Sequence, residues 1–206
     1  MNKALHKQFV ATASEISTSL ANDIHEAGPV AIPSRKHLGI GAFLARVIVG
    51  QQLSTKAAAT IWGRLSEAAR AKNTRIIDFC TEGNFSAIRA CGVSGNKGKA
   101  LLAIRSAVED GRLVTRKLKR LSPEERNATL LEIHGVGRWT ADMTAIFFFA
   151  EPDIWPDGDL SVVKVFNRYL NKRQTKNAQR YAAEFAPHRS YLAYYMWQLA
   201  DAVPNE

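Results

Sequence analysis

The side chains able to do chemistry gather in the second half of the chain. Asp159 stands directly before the amphipathic run that begins at Leu160 and reaches Leu170, and a carboxylate held there could stabilise a nearby positive charge or orient and deprotonate a water. Read from its neighbours alone, Asp159 is an N-cap, the usual post of an aspartate before a helix. Asp153 and Asp157 offer the same group just upstream, although Asp157, within Pro156-Asp157-Gly158, has the composition of a turn. Further upstream, Gly135-Val136-Gly137 separates two helical patterns. Glycines there permit positive φ and leave backbone N–H groups bare beside the helix N-terminus at Arg138, which suits an anion. Taken by itself that turn reads as a plain corner between helices, with Gly135 as the cap. Trp139, Tyr194 and Trp197 carry rings able to stack on an electron-poor planar ligand. Trp139 also shares a helical stripe with Met143, Ile146 and Phe147, so core packing is open for it too.

These residues depend on helices for their positions. One helix is expected over about Lys3–His25, stopping at Gly28-Pro29. Ile40–Val49 is apolar and short enough for helix or strand. Gly50-Gln51-Gln52-Leu53 breaks the chain, and Ser54 caps a helix toward Arg70. Shorter helices fit Thr74–Thr81 and Phe85–Ala90. Gly92–Gly98 reads as a loop before a helix that Gly111 closes. Ser122-Pro123-Glu124-Glu125 combines N-cap, first-turn proline and capping-box glutamate. Helices follow from about Arg138, from Leu160 (Val162, Val165, Phe166, Tyr169 and Leu170 inward) and from about Arg189 (Leu192, Tyr195, Met196 and Leu199 inward). Tyr194 and Trp197 fall on a second face of that last helix. The fold class is all-α.

The 206 residues carry 28 Lys plus Arg against 19 Asp plus Glu, a net charge of +9. The excess is concentrated: Asn96–Arg126 has nine basic and four acidic residues, and Lys164–Arg189 has seven basic residues and only Glu184. Clustered cations favour a polyanion, because neutralised phosphates release condensed counterions. No apolar run approaches the ~20 residues of a bilayer span, and no apolar core follows Met1-Asn2-Lys3 as in a signal peptide. Cys80 and Cys91 are too few for a disulfide framework or a four-thiolate cluster, and the five histidines lack metal-ligand spacing. The expectation is a soluble, unsecreted protein of a reducing compartment, cytoplasmic or nuclear.

The order of the segments carries more than any one of them. Ile48-Val49-Gly50-Gln51-Gln52-Leu53-Ser54 comes first, then Gly135-Val136-Gly137-Arg138-Trp139-Thr140, then Trp155-Pro156-Asp157-Gly158-Asp159, then Pro187-His188-Arg189-Ser190-Tyr191 leading to Trp197. In that order they resemble the helix-hairpin-helix-GPD family of DNA glycosylases, and within it the alkylbase (3-methyladenine type, DNA glycosylase II) branch. The resemblance runs from about Leu38 to Asp201. It implies a two-lobed helical bundle with a cleft, one lobe about 40–137 and the other about 1–39 plus 138–206, in a compact form without the N-terminal β-rich domain or the iron–sulfur cluster of some relatives.

What the resemblance implies for function is base-excision repair: hydrolysis of the N-glycosidic bond of an alkylated purine flipped out of duplex DNA, by a monomer, leaving an abasic site. Asp159 would be the catalytic carboxylate. Trp139 stands where backbone-cutting relatives carry a lysine, so no amine is available for a Schiff base and a monofunctional enzyme is expected. Trp139, Trp197, Tyr194 and Met143 would line the base pocket. Gly135, Val136, Gly137 and Arg138 would hold a phosphate. One of Gln51, Gln52 and Leu53 would fill the gap in the base stack, and local sequence leaves open which. Ser94 and Lys97 would belong to a second phosphate-facing turn. No cofactor is required, and a monovalent ion at the 133–138 hairpin is the single one considered. The rival readings are a non-catalytic helix-hairpin-helix DNA-binding protein and a glycosylase/lyase for oxidised bases.

Overall fold

Helical spacing is realised along nearly the whole chain. The computed structural model describes residues 1–200 and Val203; Asp201, where the resemblance ends, and the end of the second expected lobe lie outside them. The described residues form α1 (Lys3–Ile16), α2 (Thr18–Ala27), α3 (Ile40–Gly50), α4 (Thr55–Ala71), α5 (Ile76–Phe79), α6 (Phe85–Ala90), α7 (Gly95–Glu109), α8 (Thr115–Leu118), α9 (Pro123–Leu131), α10 (Arg138–Met143), α11 (Leu160–Arg168), α12 (Lys172–Thr175), α13 (Ala178–Ala183) and α14 (Arg189–Leu199). Among them there is no strand, as the all-α reading expects.

Side-chain caps open half of these helices. Ser54 accepts from the Ala57 N–H at 3.3 Å, and Ser122 and Glu125 form the reciprocal capping box. Four differences from the sequence reading have local causes. The first helix is two, because extended Ser17 ends α1 and caps α2 through Leu20 N–H. The ambiguous segment from Ile40 is helical and buried along almost its whole length. The loop after Gly92 is shorter than expected: Ser94 caps α7, so Gly95 to Gly98 are already helical. After α10 the helix widens into a π-turn over Thr144–Phe149, which shifts the regular stripe and buries Thr144 through Phe148.

The chain divides into two units. Met1–Pro33 joins Ala150–Ala200 and Val203 in one, and Ser34–Phe149 forms the other. The second crossing therefore falls after Phe149, not after Gly137, because α10 and its π-turn pack on α3. In the first unit, Phe9 of α1 meets Phe185 and Tyr195 at ring distances of 5.1 and 6.2 Å, and the Tyr195 hydroxyl donates to Gly28 O at 2.7 Å. α11 packs on α14 there. In the second, α3 is central and packs on α4, α5, α7 and α10. Arg126 of α9 donates to Leu118 O and Leu121 O and lies 4.1 Å over the Phe149 ring, which ties the α8–α9 corner to the end of the π-turn.

Candidate active site

In the first unit, the residues before α11 are fixed from both sides. Arg189 donates to Asp153 Oδ1 and Oδ2 at 2.7 and 2.9 Å, and its backbone N–H reaches Oδ1 at 3.1 Å. Ser190 donates through Oγ to Glu151 O at 2.7 Å and accepts from the Ile154 N–H at 3.0 Å. Trp155 packs edge-on against Phe166 of α11 at 5.2 Å. The loop therefore reaches Asp159 with little freedom. Asp159 is buried and caps α11, its Oδ1 accepting from the N–H groups of Ser161 and Val162 at 3.0 Å each.

This geometry separates the three aspartates. Asp153 is engaged by the Arg189 guanidinium, whose hydrogen bonds hold its carboxyl below the usual range. Asp157 is exposed and accepts from Gln179 Nε2 at 3.0 Å. Asp159 is the one with an anchored and buried carboxylate. Capping and chemistry do not compete here: two backbone N–H groups at the start of α11 orient the carboxylate. Leu160, which the sequence reading passed over, is 86% exposed, a large apolar side chain turned away from the core at the start of the same helix.

In the second unit, the Gly-Val-Gly turn is a helix-hairpin-helix. Gly135 has φ 86°, and a Cβ built on it would lie 2.3 Å from Ala100 Cβ, so glycine is required both for the backbone angle and for the approach to α7. Val136 departs from the expected phosphate role. Its side chain is buried and its N–H donates to Ile133 O at 2.9 Å, so it anchors the turn while Gly135, Gly137 and Arg138 are exposed.

The Gln51–Leu53 turn is resolved into different roles. Gln51 Nε2 donates to Thr140 Oγ1 at 2.9 Å, which holds this side chain against α10 and removes it as a residue to fill a base stack. Gln52 is exposed with φ 56°, and Leu53 is 40% exposed. Thr140, fully buried, is a partner that sequence reasoning missed. Lys97 is also reassigned: its ammonium turns inward, to Val49 O at 2.9 Å and Gln51 O at 2.7 Å. Ser94 Oγ serves the α7 N-terminus, accepting from the Lys97 N–H at 3.4 Å.

Of the expected base-pocket residues, Trp139 keeps a partly exposed face. Trp197, Tyr194 and Met143 are buried, so the expectation that their faces stand open to a ligand is corrected. For Trp197 and Tyr194 the reason is that α14 is buried on nearly every side from Ser190 to Trp197, so the two-face reading of that helix fails; Met143 ends α10, which is buried from Thr140 onward.

No protein-family model matches the chain. DNA-3-methyladenine glycosylase 1 of Schizosaccharomyces pombe is 33% identical over 166 residues, 77% of this chain and 72% of that protein. The alkylbase DNA glycosidase-like protein mag2 of the same yeast is 28% identical over 155 residues, 66% of this chain and 72% of that protein. Among solved structures, the S. pombe 3-methyladenine DNA glycosylase in complex with abasic DNA matches with a TM-score of 0.79 at 27% identity, covering 95% of this chain and 98% of that one. A DNA-3-methyladenine glycosidase from Bacillus halodurans matches with a TM-score of 0.73 at 26% identity, covering 93% and 88%. With the hairpin, the capped aspartate and these relatives together, the chain belongs to the DNA-3-methyladenine glycosylase family, the alkylbase branch of the helix-hairpin-helix-GPD glycosylases.

Proposed function

We propose that this protein hydrolyses the N-glycosidic bond of alkylated purines, of the 3-methyladenine and 7-methylguanine type, in duplex DNA, acting as a monomer and leaving an abasic site. The carrying observation is the fixed carboxylate of Asp159, with one oxygen tied to two N–H groups of α11 and its loop braced by Arg189 and Ser190. Breaking the bond between C1′ and the base nitrogen sends the electron pair to the base and leaves cationic character on the sugar. Alkylation has already placed positive charge on the ring, so the base departs neutral and needs little general-acid help. Asp159 stabilises the sugar cation and orients water toward C1′, accepting its proton as the new C–O bond forms. The indole of Trp139 offers no amine, which supports hydrolysis without a covalent intermediate, and its partly exposed face suits stacking on the extruded cationic base.

The hairpin glycines and Arg138 would grip backbone phosphate, and Gln52 or Leu53 would occupy the gap in the stack. The test is base release from methylated duplex by wild type and Asp159→Asn. Asparagine is an equally good N-cap, so the variant should melt within about 0.5 kcal/mol of wild type while losing on the order of 100-fold or more in rate. Full activity in the variant removes Asp159 from the chemistry.

A further inference from the structure

Lys97 sits at an odd place for a cation. With Ser94 as N-cap it is the third residue of α7, where the helix's own dipole disfavours positive charge. Its ammonium is compensated elsewhere, by the carbonyls of Val49 and Gln51 at the C-terminal end of α3, which lack partners within their own helix and carry the negative end of its dipole. Burial of the amine pulls its pKa below the ordinary lysine value, as expected for a cation withdrawn from water to serve carbonyls.

The turn it holds is strained. Gln52 adopts φ 56°, a left-handed angle costly for a residue with a Cβ, and such angles persist only where surroundings impose them. Here they are imposed at Gln51, whose carbonyl takes Lys97 and whose side chain takes Thr140. Three residues along α7, on the same face as Lys97, Ala100 meets Gly135 of the hairpin. The first turns of α7 thus touch both the strained turn and the phosphate-facing hairpin.

We propose that Lys97 is a positioning residue that contacts no DNA and fixes the Gln52-Leu53 turn in the conformation that fills the gap left by an extruded nucleotide. This rests on the reading of that turn under the proposed function, though not on Asp159 or the chemistry. The test compares wild type with Lys97→Met, which keeps the aliphatic stem and removes the donors, and Lys97→Arg, which restores them. The first readout is the binding preference for duplex with a single abasic site over intact duplex, by fluorescence anisotropy, which needs no catalysis. The second is single-turnover release of an alkylated base paired in duplex against the same base in an unpaired bubble, where little stack remains to be filled.

Lys97→Met should lower the abasic preference about tenfold, from loss of two charge-assisted hydrogen bonds, and slow release from paired duplex far more than from the bubble. Lys97→Arg should stay within about threefold of wild type on both. A general folding defect would depress paired and bubble rates alike, and thermal melts identify it; if the Met variant does not fold, Lys97→Gln, which keeps a neutral, shorter N–H donor group, takes its place with an intermediate loss. Unchanged abasic preference in a folded variant, or equal slowing on both substrates, overturns the proposal, as does a wild type indifferent to abasic DNA. A wild type that prefers abasic duplex yet releases no alkylated base overturns the enzymatic reading alone.

Discussion

Gly135→Ala isolates the contact on which the hairpin is built. The added methyl brings two separable costs. At φ 86° an L-residue loses about 1–2 kcal/mol to the clash of Cβ with its own backbone. The new Cβ also lies 2.3 Å from Ala100 Cβ, well inside van der Waals contact, and forcing such overlap in a packed interior costs about 1–3 kcal/mol. A total near 3 kcal/mol corresponds to a fall in Tm of about 6–12 °C for a chain of this size. The next nearest atom is Ala100 Cα at 3.4 Å, so removing the Ala100 methyl relieves the overlap and leaves the backbone cost. Gly135→Ala/Ala100→Gly should therefore recover about 1–3 kcal/mol relative to the sum of the single changes, less tightly packed but with the hairpin returned to α7. Urea or thermal melts of the four proteins give the coupling energy, and anisotropy on undamaged duplex follows the phosphate grip in parallel. Additive effects, or a Gly135→Ala protein that melts with wild type, would refute the view that this contact sets the hairpin.

Two further outcomes follow from groups around the site. Replacing Gln52 by glycine should release left-handed strain and raise stability by up to about 1 kcal/mol, while a freer turn without the Gln52 side chain lowers the preference for abasic duplex; melts and anisotropy read the two opposite signs. Asp153 has its folded pKa depressed, first by the Arg189 hydrogen bond, so its contribution is present above the unfolded carboxylate value of about 3.9 and is lost as pH falls through the folded one. Wild type minus Asp153→Asn stability, measured by urea melts, should accordingly be largest near neutrality and shrink below about pH 4; a difference that is flat with pH would detach the loop before α11 from this ion pair.

The helix starts were legible because caps are local. Ser54, Ser122 with Glu125, and Asp159 each close a hydrogen bond within three residues, so residue type and spacing suffice. The inward face of α11 was legible for the same reason: Val162, Val165 and Phe166 repeat at helical spacing and are buried, as is Leu170 just past its end, while Tyr169 is half-buried. The break at Ser17 was missed although its signal, a serine three residues before Leu20, was of the same kind. The even burial of α14 was not legible, since a helix enclosed on nearly all sides has no periodic face to read.

The sequence by itself settled that the chain is helical, that a glycine turn precedes a tryptophan at the start of a helix, and that Asp159 opens a helix. Tertiary structure alone decided which aspartate is buried and anchored, and where Lys97 and Gln51 point. Arg189 reaches Asp153 across 36 positions, Lys97 reaches Val49 across 48, and Gln51 reaches Thr140 across 89. Contacts at such separations depend on how helices pack, and neither periodicity nor local hydrogen bonding carries that information.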